Sequence, residues 1–108
     1  MSATTSAAVL LPSQLETRGT AAVLVRHAVP AGTTDVAIGA VEAASVSAGA
    51  ADEIVKRLLD ASVQRVVLVN PQAGVERSLR LALARRSTRD RTFLLSVQHR
   101  SDDVLYPA

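Results

Sequence analysis

The sequence predicts an α/β protein, in which a mostly parallel four-stranded sheet has helices packed on it. Short apolar runs alternate with longer amphipathic segments, and this order produces strand–helix–strand units with right-handed crossovers. The 108 residues lie in the usual size range of one domain, and no segment of the chain is a long linker. We therefore expect a single domain over residues 1–108, with tails at residues 1–6 and 99–108.

The first half of the chain predicts two strands with a helix between them. The run SAAVLLP, closed by Pro12, predicts a short strand at or near an edge of the sheet. Residues 13–29 fit strand or helix. Consecutive β-prone residues from Val23 favour a strand, whereas Thr20 as a cap and the alanines after it favour the short helix that we prefer, ended by VPAG. The segment TTDVAIGAV then predicts a buried strand. Its apolar positions are Val36, Ile38 and Val41.

The clearest predicted helix lies in the stretch VSAGAADEIVKRLL. Its apolar residues recur on one face, and they are Ile54, Val55, Leu58 and Leu59. Asp52 and Glu53 are expected in the first turn, where the helix dipole favours anions, with Lys56 and Arg57 later.

Strand, helix and strand follow in the remainder of the chain. RVVLVN is a continuous apolar run, typical of a parallel strand covered on both faces. PQAGVERSLRLALARR predicts an amphipathic helix, and RTFLLSVQ predicts the last strand. The inward positions of that helix are Val75, Leu79, Ala82 and Leu83.

Composition excludes several classes of protein. The chain has no cysteine, which excludes disulfides, thiolate metal sites and thiol nucleophiles. Its N-terminal segment lacks the basic flank and apolar core of a secretory signal, and no run is long enough to span a membrane. We expect a soluble, cytoplasmic protein, and the preference for arginine is typical of bacterial proteins from high-GC genomes.

The motifs that resemble enzyme signatures are incomplete. LVRHAVP contains the Arg-His pair of histidine phosphatases, but the only other histidine is His99, near the chain end. VLVNPQAG resembles the opening of lipid kinases without their glycine-rich nucleotide loop, and neither a P-loop nor a dinucleotide fingerprint occurs. Asp102 and Asp103 are adjacent carboxylates of the kind that solvent usually surrounds. We therefore expect no enzymatic activity, no cofactor and no metal.

An arginine-rich segment, residues 77–91, leaves a nucleic-acid alternative open. Counterion release drives phosphate binding by such clusters, but almost no aromatic side chain is present to stack on bases. Arg77 and Arg80 are expected on the exposed side of the second amphipathic helix, so a solvated helix face is the preferred interpretation. The arginines are Arg77, Arg80, Arg85, Arg86, Arg89 and Arg91.

Four segments, taken in their order along the chain, are VLLPSQLE, TTDVAIGAV, VSAG and VVLVNPQAGVERSL. Together they resemble a STAS domain, the fold of anti-sigma factor antagonists and of the cytoplasmic parts of sulfate transporters. The likeness spans residues 8–97 and rests on order and spacing. VSAG matches the Asp-Ser-x-Gly motif that opens a helix in this family. Gln14 departs from the family's Glu, and Val46 stands where the Asp before the serine is usual.

This resemblance implies a non-enzymatic regulatory module that binds an anti-sigma factor or a switch kinase. Ser47 matches the serine that such a partner phosphorylates, although a helix cap alone also explains a serine there. An accessory STAS subunit of a lipid ABC transporter is a further alternative, and the oligomeric state is open. The expected partner-binding residues are Ser13, Gln14, Ser45, Val46, Ser47, Ala48, Gly49, Asp52, Glu53 and Lys56.

Overall fold

The computed structural model describes residues 4–100 and confirms the α/β class with a four-stranded parallel sheet and helices packed on it. The strands are β1 (Ser6–Leu10), β2 (Gln14–Leu15), β3 (Asp35–Gly39), β4 (Ser45–Val46), β5 (Arg65–Val69) and β6 (Leu94–Gln98). The helices are α1 (Arg18–Ala28), α2 (Ala48–Asp60) and α3 (Ala73–Arg86). The first strand begins at Ser6, within the expected N-terminal tail.

All four strands of the main sheet are parallel, in the order β1-β3-β5-β6. β1 is an edge strand, as predicted. Each crossover advances the sheet by one strand in the same direction, and right-handed crossovers then place all three helices on one face. The burial of alternate residues agrees, since Val9, Ile38 and Leu68 lie in one register row and are buried.

β5 differs from its prediction because only one face of the sheet is covered. Val66 and Leu68 are buried, whereas Val67 and Val69 on the other face are half-buried. The prediction that this strand is covered on both faces is therefore wrong for residues 4–100. The apolar run correctly predicts a strand. Whether both faces of that strand are covered depends on the side of the sheet on which the helices lie, and the strand order determines that side.

Helix α1, at Arg18–Ala28, confirms the short helix predicted within residues 13–29, whereas Gln14–Leu15 form strand β2 and the cap of the helix is Thr17. The hydroxyl of Thr17 accepts a hydrogen bond of 3.1 Å from the backbone N–H of Thr20. Thr20 therefore lies inside the first turn, and its prediction as the cap is wrong. The helix ends at Ala28, just before VPAG, and it turns Ala21 and Val25 into the core.

The turn after β3 corrects the position of Val41. The strand ends at Gly39, the N–H of Ala43 donates to the carbonyl of Ala40 over 3.1 Å, and the chain turns there. Val41 is 62% exposed, so its prediction as part of a buried strand is wrong. Ala40 and Ala43 fill the interior at this point instead.

Helix α2 has the predicted apolar face, with Ile54, Val55, Leu58 and Leu59 all buried. It begins at Ala48, so Asp52 and Glu53 lie in the second turn. Their prediction in the first turn is wrong, because the cap at Ser47 starts the helix four residues earlier than the acidic pair suggests.

Helix α3 and strand β6 complete the fold. Val75, Leu79 and Ala82 are buried, and Leu83 is half-buried against the core, which agrees with the prediction. Asn70, in the left-handed region at φ 52°, accepts a hydrogen bond from the N–H of Arg100 through its side chain. The predicted tail carboxylates, Asp102 and Asp103, lie outside the described residues.

Candidate functional site at the start of helix α2

The two short strands bring distant segments of the predicted surface together. β2 and β4 form a separate two-stranded parallel sheet, in which Gln14 lies beside Ser45 and Leu15 beside Val46. The carbonyl of Ser13 accepts from the N–H of Ser45 at 3.2 Å. The structure therefore joins the segment around Gln14 to the segment before α2, as the predicted binding surface requires.

Ser47 is the N-cap of α2, and both functions of its hydroxyl are used. The Oγ atom accepts from the N–H of Ala50 at 3.0 Å and donates to the carbonyl of Glu16 at 2.8 Å. The N–H of Ser47 donates to the carbonyl of Leu15 at 2.9 Å. The bond from Ala50 satisfies a backbone N–H of the first helical turn that would otherwise lack a partner. The bonds to Leu15 and Glu16 attach the helix to the chain that precedes α1.

The predicted partner-binding residues differ in exposure. Val46 and Glu53 are buried, at 9% and 6% exposed, so they support the surface from beneath and do not form part of it. Ser47, Gly49 and Asp52 are half-buried. The exposed members are Ser13, Gln14, Ser45, Ala48 and Lys56.

Asp52 joins all three helices through two arginines. Its carboxylate accepts from Arg18 Nη1 of α1 at 2.6 Å, and from Arg86 Nη2 of α3 at 2.7 Å. The hydrogen bond from Arg86, and then that from Arg18, hold the pKa of Asp52 well below its usual range. Asp52 raises the pKa of Arg86 in turn. We call these three residues the arginine–aspartate cluster.

Arg18 also covers the first turn of α2. A Cβ atom added at Gly49 would lie 3.6 Å from both Cγ and Nε of Arg18, so the arginine stem lies across the backbone there. Sequence reasoning missed this residue, which is separated from Ser47 by the rest of helix α1 and two strands. No local pattern marks it, because its contacts arise from the packing of α1 on α2.

Glu53 is a buried carboxylate with basic partners. Arg57 Nε donates to Glu53 Oε2 at 2.9 Å, one helical turn later, and Arg18 Nη1 lies 3.7 Å from Oε1. The hydrogen bond from Arg57 is the main cause that lowers the pKa of Glu53. The carboxylate is therefore charged and held within the protein.

The arginines of residues 77–91 are divided between paired and exposed positions. Arg86 belongs to the arginine–aspartate cluster, Arg80 Nε binds Glu76 at 2.8 Å, and Arg91 Nη2 binds Asp60 at 2.5 Å. Arg77 and Arg80 lie on exposed positions of α3, as predicted. The carboxylates neutralise part of the positive charge that the sequence concentrates in this segment.

The start of α2 combines small side chains with charged groups. Small side chains there allow close approach of another backbone, and charged groups surround them. Across residues 4–100, no group of three or more histidines, aspartates and glutamates could hold a metal ion. In the same part of the chain, no helix has both the length and the apolar character needed to cross a membrane.

Comparisons with protein-family models, with curated proteins and with solved structures found no match.

Proposed function

We propose that this chain is a non-enzymatic, STAS-like regulatory module whose docking surface is centred on the start of helix α2. Its partner is an anti-sigma factor or a switch kinase, and phosphorylation of Ser47 weakens the contact. The main supporting observation is the position of Ser47 as the cap of α2, beside exposed Ala48 and next to the β2–β4 pair. Proposed members of the surface are Ser13, Gln14, Ser45, Ser47, Ala48, Gly49, Asp52 and Lys56.

A phosphate on Ser47 would change this surface through its charge. It adds about −1.5 to −2 charges at a helix N-terminus, where the dipole favours an anion. The esterified oxygen no longer donates to the carbonyl of Glu16, so the bond that attaches α2 to the preceding chain is lost. Arg18 lies over Gly49, two residues after Ser47, so pairing of its guanidinium with the phosphate would compete with its bond to Asp52.

The hydrogen bonds of Ser47 also limit how a partner kinase could reach its hydroxyl. Because the hydroxyl is bonded on both sides, a kinase must free it from Glu16 before phosphate transfer. Local opening of the β2–α1 connection supplies that access. Docking of the kinase on the exposed residues around Gln14 and Ala48 would favour such an opening at the right place.

The two alternative functions, a transporter subunit and a nucleic-acid-binding module, predict different experimental results. An accessory subunit of a lipid transporter would use the same fold with Ser47 as a cap only, and its partner would ignore a charge at that position. Nucleic-acid binding through residues 77–91 has less support, since Arg80, Arg86 and Arg91 are paired with carboxylates. That binding would weaken steeply with added salt.

The test is capture of partners from native lysate with wild type, Ser47→Ala and Ser47→Asp. We expect an ATP-binding switch kinase or an anti-sigma factor, identified by mass spectrometry, with wild type and Ser47→Ala only. Incubation with that partner and ATP should add one phosphate to Ser47 of the wild type and none to Ser47→Ala.

A matched control places the same charge at the opposite end of α2. Ser62 is exposed and follows the C-terminus of the helix, so Ser62→Asp should retain the partner. Equal capture by Ser47→Asp and wild type would overturn the regulated function. Recovery of membrane ATPase subunits in every lane would favour the transporter alternative.

A further inference from the structure

The sheet face opposite the helices is apolar and uncovered by any described residue. We call it the open sheet face. Its central row is Ala8, Ala37, Val67 and Ser96, and Leu10 and Leu94 lie at opposite corners, on the edge strands β1 and β6. Leu10 and Leu94 are 76% and 73% exposed. Parallel sheets are normally covered on both faces, so this surface is a candidate interface.

The middle of the open sheet face is flat, because Ala37, Gly39, Val67 and Val69 on its two central strands have short side chains. Gly39 lets the side chain of Leu10 fold over its backbone, since a Cβ at residue 39 would come within 2.7 Å of Leu10 Cδ2. The apolar side chain thus lies against the sheet. A flat apolar surface of this kind fits another sheet, at the spacing of about 10 Å that stacked sheets adopt.

Charge on the open sheet face is balanced by one ion pair. Arg65 on β5 makes two hydrogen bonds to Asp35 on β3, of 2.9 and 3.1 Å. The two residues are register partners on the central strands. The pair has no net charge, so the face does not select an acidic or a basic partner.

From this pattern we propose that a second copy of this chain covers the open sheet face, with a two-fold axis parallel to the strands and midway between β3 and β5. This axis places β3 of one copy over β5 of the other at the same level. Arg65 then faces Asp35, Val67 faces Ala37 and Val69 faces Gly39, in both directions. On these two central strands larger side chains meet smaller ones and opposite charges meet, so the centre of the face is complementary to itself.

The size of the face sets the strength of the association. Four strands of five residues cover about 19 by 17 Å, or roughly 300 Å² of flat area per copy. Stable dimers bury about 800 Å² per partner. The dimer is therefore weak and reversible, and it forms as concentration rises.

Sedimentation equilibrium over a range of concentrations tests the proposal. We expect wild type to associate with a dissociation constant of about 10–500 μM, and Val67→Lys to raise that constant at least about tenfold. Leu81→Lys is the matched control, because Leu81 is 48% exposed on helix α3 away from the sheet. Its dissociation constant should equal that of wild type.

A charge exchange separates loss of the interface from loss of the fold. Asp35→Arg alone and Arg65→Asp alone each place like charges opposite one another in the dimer, so each variant should be monomeric. An equimolar mixture should form the heterodimer, since the facing charges are again opposite. Misfolded variants would not recover on mixing.

Three results would overturn the proposal. They are a wild-type chain that remains monomeric at about 1 mM, an equal effect of Leu81→Lys and Val67→Lys, and no recovery in the mixture. Each would leave the open sheet face to another occupant.

Discussion

Ser47 contributes to the stability of the fold separately from any role in binding. Ser47→Ala removes the acceptor for the N–H of Ala50 and the donor to Glu16, and we expect it to lower the free energy of unfolding by about 1 kcal/mol. Ser47→Asp also loses the donor to Glu16 but retains a capping oxygen for the N–H of Ala50, so its loss should be smaller, about 0.5 kcal/mol. Urea unfolding followed by circular dichroism measures both values.

The two variants of Ser47 therefore separate the effect of this residue on stability from its effect on binding of the partner. The less stable Ser47→Ala should keep the proposed partner, and the more stable Ser47→Asp should lose it. If both properties changed together, unfolding rather than charge would explain the loss of binding.

Asp52 is the residue on which the arginine–aspartate cluster depends. Asp52→Asn removes the carboxylate that Arg18 and Arg86 share and leaves Arg18 only its longer contact with Glu53. We expect a loss of about 1–2 kcal/mol in the free energy of unfolding. Asp60→Asn is the control, because the Asp60–Arg91 pair is exposed on both sides and should contribute about 0.5 kcal/mol or less. Similar losses in the two variants would show that the cluster is an ordinary surface pair.

At the scale of single residues, the sequence predicts the helix cap at Ser47 better than it predicts the arginine–aspartate cluster. The spacing of Ser47 before an amphipathic segment is a local signal, and the structure confirms that serine as a cap. The distance of 34 residues between Asp52 and each arginine leaves no local signal, so only the packed helices reveal those pairs.

Among the elements, helix α2 holds the core together, since it packs on both α1 and α3. Leu58 is 1% exposed at its centre, and we expect Leu58→Ala to lower the free energy of unfolding by about 2–5 kcal/mol through lost burial and a cavity. Leu81→Ala, on an exposed position of α3, should change it by less than about 0.5 kcal/mol. Thermal unfolding of the two variants provides the comparison, and equal melting temperatures would contradict the assigned core.

Element existence was predictable, whereas several boundaries were not. Periodic apolar residues marked α2, α3 and the main strands, which the structure confirms. Side-chain hydrogen bonds of the caps Thr17 and Ser47 determine where α1 and α2 begin, and the apolar periodicity contains no information on these bonds. The strands β2 and β4 have two residues each, too short for any pattern, although they shape the candidate site.

The whole molecule should lose stability in acid. Asp35, Asp52 and Glu53 all have lowered pKa values in the folded protein, through bonds from Arg65, Arg86 and Arg57 respectively. The unfolded chain then binds more protons as the pH falls through the ordinary values of 3.8 and 4.5. The stabilisation is complete above these values and is lost progressively below them.

Urea unfolding between pH 7 and pH 3 measures this dependence. We expect the midpoint concentration of urea to stay nearly constant down to about pH 5 and to fall below it. The decline should be shallower in Asp52→Asn, since one of the three groups is removed. A midpoint that rises on acidification would contradict the assigned ion pairs.

The fold class followed from the order of strands and helices, and the uncovered face did not. The run at Val66–Val69 has the apolar character of a strand covered on both sides, but the direction of successive crossovers places all the helices on one side. The direction in which successive crossovers move along the sheet is a property of the assembled strands. The open sheet face, and the ion pair between Arg65 and Asp35 on it, were therefore visible only in the structure.

The strand order also has a consequence for synthesis of the chain. Each strand from β3 onward pairs with one that precedes it in the sequence, in both the main sheet and the β2–β4 pair. β1 and β2 wait for β3 and β4 respectively, and each later strand finds its neighbour already synthesised when it leaves the ribosome. The sheet can therefore grow from the N-terminus as translation proceeds, and β6 is added last, once residues up to Gln98 have emerged.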